Sequence, residues 1–268
     1  MLGTDLCQAL RAAGCRVTAP DLPEFDITRA DHVELALGGT SAVVNCAAYT
    51  NVDGAETNRE LAEAVNHVAV GTLGRLAAAR GLYVLHISTD FVFDGELERP
   101  YRETDLPRPL SVYGASKLAG EQALGAAGGE HAIVRVQWTY GRGGQNFVSK
   151  FLARAAVTDD LAMVADQVGA PTWTRDVSMA LLEVLERRRQ GLFHYAAVGY
   201  ASRFEVAQAI LELGGLTGKR LRPCRTSDFP AAARRPLNSR FDCSAIDAVL
   251  AQPRRPWRAA LARYLAGG

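Results

Sequence analysis

LYVLHISTD, residues 82–90, is an almost unbroken apolar run that ends abruptly in Ser88, Thr89 and Asp90. A strand with no polar face is one buried on both sides, as in the parallel sheets of α/β proteins. Outward from it, TSAVVNCAAY at 40–49 and HAIVRVQWTY at 131–140 repeat the order of strand, then loop. Ala- and Leu-rich helical patterns over 58–80 and 114–127 precede the second and third of these strands. Strands separated by helices predict a parallel sheet covered on both faces. Short right-handed crossovers then favour a doubly wound α/β topology.

The pattern changes after Gly141. A helix, a short strand near LAMVA and the polar turn DQVGAPTW fill residues 142–173. A helix over 174–189, a strand over 191–198 and a helix over 203–214 follow, and the tail from 219 is rich in Arg and Pro. The expected division is a dinucleotide-binding domain over 1–141, rejoined by 173–200, and a small substrate lobe made of 142–172 and 201–268. At the other end, residues 4–13 read as a helix and 15–19 as a strand, the second half of a βαβ unit. The chain thus enters its pattern in mid-motif, with Gly3 as the one remaining glycine of a dinucleotide fingerprint. The expectation is that a first strand and glycine turn are missing, and that the chain as it stands binds dinucleotide poorly.

Composition narrows the function classes. The chain has 268 residues, 48% of them hydrophobic, enough for a full core. A net charge of +1 points to no nucleic acid. Five widely spaced cysteines with no CxxC pair argue against disulfides and structural zinc, and suit a cytoplasmic setting. No apolar run is long enough to span a membrane, and neither His86 nor His194 is grouped with other ligands, so no metal is expected.

PLSVYGASKLAGE at 109–121 carries the chemistry. Tyr113 and Lys117 lie four apart at the start of a helix, on one face. A phenol with a pKa of about 10 is a weak acid at neutral pH, and a nearby ammonium is expected to lower it. Such a pair delivers a proton as hydride reaches a carbonyl carbon. Thr89, at the carboxyl end of a strand, is placed to donate a hydrogen bond to the same carbonyl. Asp90 either orients a sugar hydroxyl or satisfies loop donors.

Further runs carry a resemblance. They are FDIT at 25–28, VVNCAAYTNVDGAE at 43–56, VN at 65–66, HISTDFVFDG at 86–95 and VYGASKLAGE at 112–121. WTYG at 138–141, NFV at 146–148, DQVGAPT at 166–172, RRPLNS at 234–239 and PW at 256–257 continue it. Together they resemble the dTDP-4-dehydrorhamnose reductase family of extended short-chain dehydrogenase/reductases, over nearly the whole chain. The resemblance implies a Rossmann domain with a small C-terminal substrate lobe and reduction of a 4-keto nucleotide sugar by NADPH or NADH. It also implies catalytic Thr89, Tyr113 and Lys117. Phe91 stands where the family usually has tyrosine. Asp90–Phe91 lacks the second acid of related dehydratases, which favours reduction over dehydration.

For the cofactor, the expected contacts are Gly3, Asp26, Ile27, Asn45, Ala47 and Ala48, together with Tyr113 and Lys117. Asp21 is either a ribose ligand or a solvated turn residue. For a dTDP-linked sugar they are Asp90, Trp138, Asn146, Gln167, Thr172 and Arg235, the last because a guanidinium matches phosphate geometry. Trp138 is alternatively plain core, and Arg235 alternatively a surface arginine. A homodimer is compatible with all of this. The alternatives are a sugar-nucleotide epimerase on the same scaffold and a non-catalytic NAD(P)-binding regulatory subunit.

Overall fold

The computed structural model describes residues 1–268. The chain begins with helix α1 (Leu2–Ala12), whose Leu2, Leu6 and Leu10 recur at helical spacing and face the core. Residues 15–19, expected as a strand, run without one. A strand exists through its ladder of hydrogen bonds, and no neighbouring strand lies beside this segment to supply it. Helix α2 (Ala30–Ala36) leads to strand β1 (Ala42–Asn45).

The helix expected over 58–80 is broken into pieces. Asn51 caps α3 (Val52–Thr57), α4 (Arg59–Glu63) follows, and a π-helical turn over Ala64–Val68 precedes α5 (Ala69–Ala78). The turn sets the fully buried Asn66 facing inward. Strand β2 (Tyr83–Thr89) passes through a short 3₁₀ turn at Asp90–Val92, then a long loop, to α6 (Val112–Ala126) and β3 (His131–Val136).

Beyond β3 come β4 (Thr139–Tyr140), α7 (Phe147–Val157), β5 (Asp160–Val164), β6 (Val168–Gly169) and β7 (Thr172–Trp173). Helix α8 (Thr174–Glu186) and strand β8 (Gly191–Tyr195) follow. The remainder comprises β9 (Ala201–Ser202), α9 (Arg203–Leu213), β10 (Arg220–Cys224), α10 (Ser244–Asp247) and α11 (Trp257–Leu265).

The main sheet is parallel throughout, in the order β1-β2-β3-β8. Its two faces are buried separately, which is why its strands read as continuous apolar runs. Val84 and Ile133 pack with Val70, Leu73 and Leu124 of α5 and α6. Tyr83, Leu85 and Val134 pack with Leu6 and Leu10 of α1 and Val177 and Leu181 of α8. This is the Rossmann-like arrangement, with helices over both faces of a parallel sheet.

A second core joins Tyr140, Phe151, Leu161, Trp173, Val206, Ile210 and Leu261. Three small sheets hold it together: β10 with β5, β4 with β7, and β6 with β9. The Arg- and Pro-rich tail supplies β10, parallel to β5, with Arg220 and Arg222 paired to Asp160. Residues 241–250 depart from the lobe to which the sequence assigned them. Phe241, Cys243, Ile246 and Val249 recur at two- and three-residue intervals and pack against the main sheet instead. All five cysteines are free, no three potential metal ligands cluster, and no helix is long and apolar enough to cross a membrane.

Candidate active site

The site forms outside the carboxyl end of β2. Thr89 ends the strand, and its hydroxyl accepts from the Phe91 N–H (3.2 Å) while lying 3.2 Å from Asp90 Oδ1. The 3₁₀ turn that follows is therefore capped by the residue expected to act on the substrate carbonyl. Helix α6 brings Tyr113 to the same place. Ser111 caps its first turn through the Gly114 N–H, and Glu56 of α3 accepts from the Val112 N–H at 2.9 Å. Gly114 is required here, because a side chain would collide with the Phe91 carbonyl oxygen. That close approach sets the Tyr113 ring beside Thr89 and edge-on to Phe91, 5.5 Å between centroids. Phe91 thus packs against this phenol.

The electrostatics differ from expectation. Burial, and then the negative charge of Asp90, push the Tyr113 phenol up to about 12, against the lowering by Thr89. Lys117 does not lower it. Its ammonium points into the sheet, donating to the Ile87 carbonyl at 2.7 Å and lying 3.4 Å from His86 Nε2. Burial depresses Lys117 to about 8. His86 is fully buried and held well below its ordinary range, first by burial and then by the Lys117 charge. Its Nδ1 meets the Asn45 amide nitrogen at 3.1 Å, and Asn45 Oδ1 accepts from Ala47 N–H. With Nδ1 accepting, the ring proton falls on Nε2, the edge that faces Lys117.

The expected cofactor residues separate into two groups. Asn45, Ala47 and Ala48 form one loop after β1, with Ala47 exposed and Ala48 half-buried, joined to Lys117 through His86. Asn66 pins this loop, bonding both backbone groups of Tyr49 and the Ser116 hydroxyl of α6. These small side chains and the Tyr113–Lys117 pair suit the nicotinamide and ribose of a dinucleotide. The other group is looser. Asp26 closes its own turn on Thr28, while Ile27 turns its side chain into the core. Gly3 sits in the first turn of α1, where an added Cβ would make only ordinary contact with Cys46, so close packing does not demand glycine there.

The substrate candidates separate similarly. Asp90 is 3% exposed, its Oδ2 has no partner, and burial lifts its carboxyl to about 6 against the pull of Ser239, Arg203 and Thr89. Trp138 adopts φ +44°, unusual for a residue with a side chain, and such outliers gather at functional sites. Arg235 is paired with Asp53 at 2.6 Å, and Gln167 bonds Thr226 within the lobe. Two others are occupied structurally. Asn146 caps α7 and donates to the Gly141 carbonyl, and Thr172 is fully buried, bonded to Ala170 and Ala197. A side chain without exposed surface cannot touch a ligand, so Thr172 acts by holding the β6–β7 turn.

His86, Asn66 and Arg203 were missed in the sequence. His86 and Asn66 lay inside quoted motifs and Arg203 outside them, and the partners of all three come from segments 17 to 65 residues away.

The family described as "RmlD substrate binding domain" matches residues 1–267. A dTDP-4-dehydrorhamnose reductase of Mycolicibacterium smegmatis is 40% identical over 265 residues, 97% of this chain and 81% of that protein. One from Mycobacterium tuberculosis is 39% identical over 271 residues, 99% and 89% of the two chains. Among solved structures, a dTDP-4-dehydrorhamnose reductase from Clostridium acetobutylicum superposes with a TM-score of 0.95 at 34% identity, covering 99% of this chain and 95% of that one. The Bacillus anthracis enzyme, in complex with NADP, also gives 0.95, at 30% identity, covering 100% and 95%. With its parallel sheet, its Thr89–Tyr113–Lys117 site and these relatives, the chain belongs to the RmlD/dTDP-4-dehydrorhamnose reductase family.

Proposed function

We propose that this protein reduces the 4-keto group of a dTDP-linked deoxysugar with NADPH or NADH, and that dTDP-4-dehydrorhamnose is its substrate. The observation that carries this reading is that Thr89, Tyr113 and buried Asp90 meet at the carboxyl end of β2, with Lys117 one helical turn further on. The bound nicotinamide supplies a hydride to the carbonyl carbon. Tyr113 holds the matching proton: a phenol at about 12 is fully protonated at neutral pH and is an acid, not a phenolate. Its Oη gives that proton to the carbonyl oxygen as negative charge develops there, and the Thr89 hydroxyl donates to the same oxygen. The Asn45–Ala48 loop lies along the ribose, and Lys117, bonded to the Ile87 carbonyl and beside His86, positions that loop through Asn45. The partner-free Oδ2 of Asp90 accepts from a sugar hydroxyl.

The test is turnover of NADPH and NADH over a panel of 4-keto nucleotide sugars. Reduction of dTDP-4-dehydrorhamnose, with kcat lowered roughly 10²–10⁴-fold in Tyr113→Phe and cofactor affinity little changed, is the expected outcome. No turnover with any of the panel, or an unchanged single-turnover rate in the variant, would sink it.

A further inference from the structure

Arg203 is an arginine beside the site whose side chain is bonded to no protein group. Arg235 is bound to Asp53, and Arg135 to Glu121. The Arg203 guanidinium lies over the Trp138 ring, 3.5 Å from its centroid, and 4.8 Å from that of Phe147. It makes no hydrogen bond or ion pair, and burial drives it down to about 9 although the Asp90 carboxylate favours its charge. Arg203 is half-buried, and a guanidinium with no acceptor in the protein keeps all five of its N–H donors for a ligand. This one is held flat by an aromatic face, with its planar edge left free.

The surroundings fix its place. Arg203 opens α9, where its own N–H donates to the Gln167 carbonyl at 3.2 Å. Ser239 of the same lobe donates its N–H to the Val168 carbonyl, next to Gln167, and the Asp90 carboxylate lies within charge range of Arg203. Arg203 therefore faces the cleft wall that carries Asp90, Thr89 and Tyr113. Trp138 lies beneath it. Its left-handed backbone is tolerated because the turn around it is packed, and Gly169 is so close that a Cβ there would come within 2.7 Å of the indole.

We infer that Arg203 binds the diphosphate of a nucleoside diphosphate sugar in this cleft, and that Trp138 acts by holding Arg203 and not by stacking on the ligand. A stacked guanidinium keeps its donors in plane, and that fork matches two phosphate oxygens. The diphosphate supplies acceptors for that unbonded fork, and the neighbouring Arg235 adds to the positive field. This inference deepens the proposed function and rests on it for the identity of the ligand class.

The test is calorimetric binding of dTDP, UDP, thymidine and NADPH to the whole protein and to Arg203→Met, Arg203→Lys and Trp138→Leu. Arg203→Met is expected to weaken dTDP roughly 30-fold or more and to leave thymidine and NADPH unchanged. Arg203→Lys keeps the charge but not the fork, and is expected to lose roughly five-fold, again for the diphosphate alone. Trp138→Leu should show the same ligand-selective loss. If Arg203→Met does not fold, as read from its thermal transition, Arg203→Lys carries the test. Unchanged dTDP affinity, equal losses for thymidine and dTDP, or no nucleoside diphosphate binding by the unaltered protein each overturn the inference. UDP bound in place of dTDP, with the Arg203-dependent loss intact, supports Arg203 and overturns the dTDP reading alone.

Discussion

At the scale of the residue, the site is governed by burial more than by neighbouring charge. Asp90 shows this with a measurable sign. Its carboxyl stands at about 6 in the folded chain, above its ordinary value, chiefly through desolvation. Between the two values the folded chain holds a proton that the unfolded chain has released. Stability therefore falls as pH rises through that window, and the full penalty is present above about pH 6. Asp90→Asn mimics the protonated group. It is expected to be more stable than the parent at pH 7 by about 1–3 kcal/mol and to lose the pH slope between about 4 and 6. Urea unfolding of both proteins across this range checks it, and parallel pH profiles would show a solvated carboxylate. Tyr113 follows the same rule, since its proton is retained by burial and by Asp90.

At the scale of the element, α6 is the part on which the chemistry hangs, and it is fastened at several points. Ser111 and Glu56 hold its start, Asn66 holds Ser116, and Glu121 near its middle forms a bidentate pair with Arg135 of β3 at 2.6 and 2.8 Å. Both partners of that pair are buried, at 6% and 2% side-chain exposure. A buried pair of this kind adds little net stability over apolar side chains, but breaking it leaves an uncompensated charge. Arg135→Met is thus expected to destabilise the protein by about 3–5 kcal/mol, and Arg135→Met/Glu121→Leu to recover most of the loss. Equilibrium unfolding of the single and double variants decides it. A double variant no more stable than the single one would assign the loss to packing around Arg135, including its contact with Phe93.

At the scale of the whole molecule, the lobe is tied to the main domain by Arg235 and Asp53. The pair is partly exposed, at 28% and 46%, so its contribution to stability is small. Its value is geometric, because it joins the RRPLNS run to α3, and α3 in turn holds the start of α6 through Glu56. Arg235→Ala and Asp53→Asn are both expected to raise KM for the nucleotide sugar roughly 3–10-fold with NAD(P)H Kd unchanged. Steady-state kinetics and cofactor titration test this. An increase in Arg235→Ala alone would instead assign the guanidinium directly to the ligand.

The local signals in this chain were enough for the main-sheet strands and for the helix that carries Tyr113 and Lys117. Continuous apolar runs at 82–90 and 131–140 leave no alternative to strands buried on both faces, and the Tyr113–Lys117 spacing sets both on one helix wherever that helix lies. What failed was whatever depends on a distant partner. Residues 15–19 have strand-like side chains but no ladder, and 241–250 follow the main core although the chain around them builds the lobe. The direction of Lys117, toward Ile87 and His86 instead of the phenol, was decided by a strand some 30 residues earlier. The stacking of Arg203 on Trp138 joins residues 65 apart in the chain, where no periodicity connects them. Propensity and hydrophobic pattern act over a few residues and so determine the elements. The charge state of a buried group, and the ligand it is free to meet, depend on the desolvation and the contacts that only the assembled lobes create.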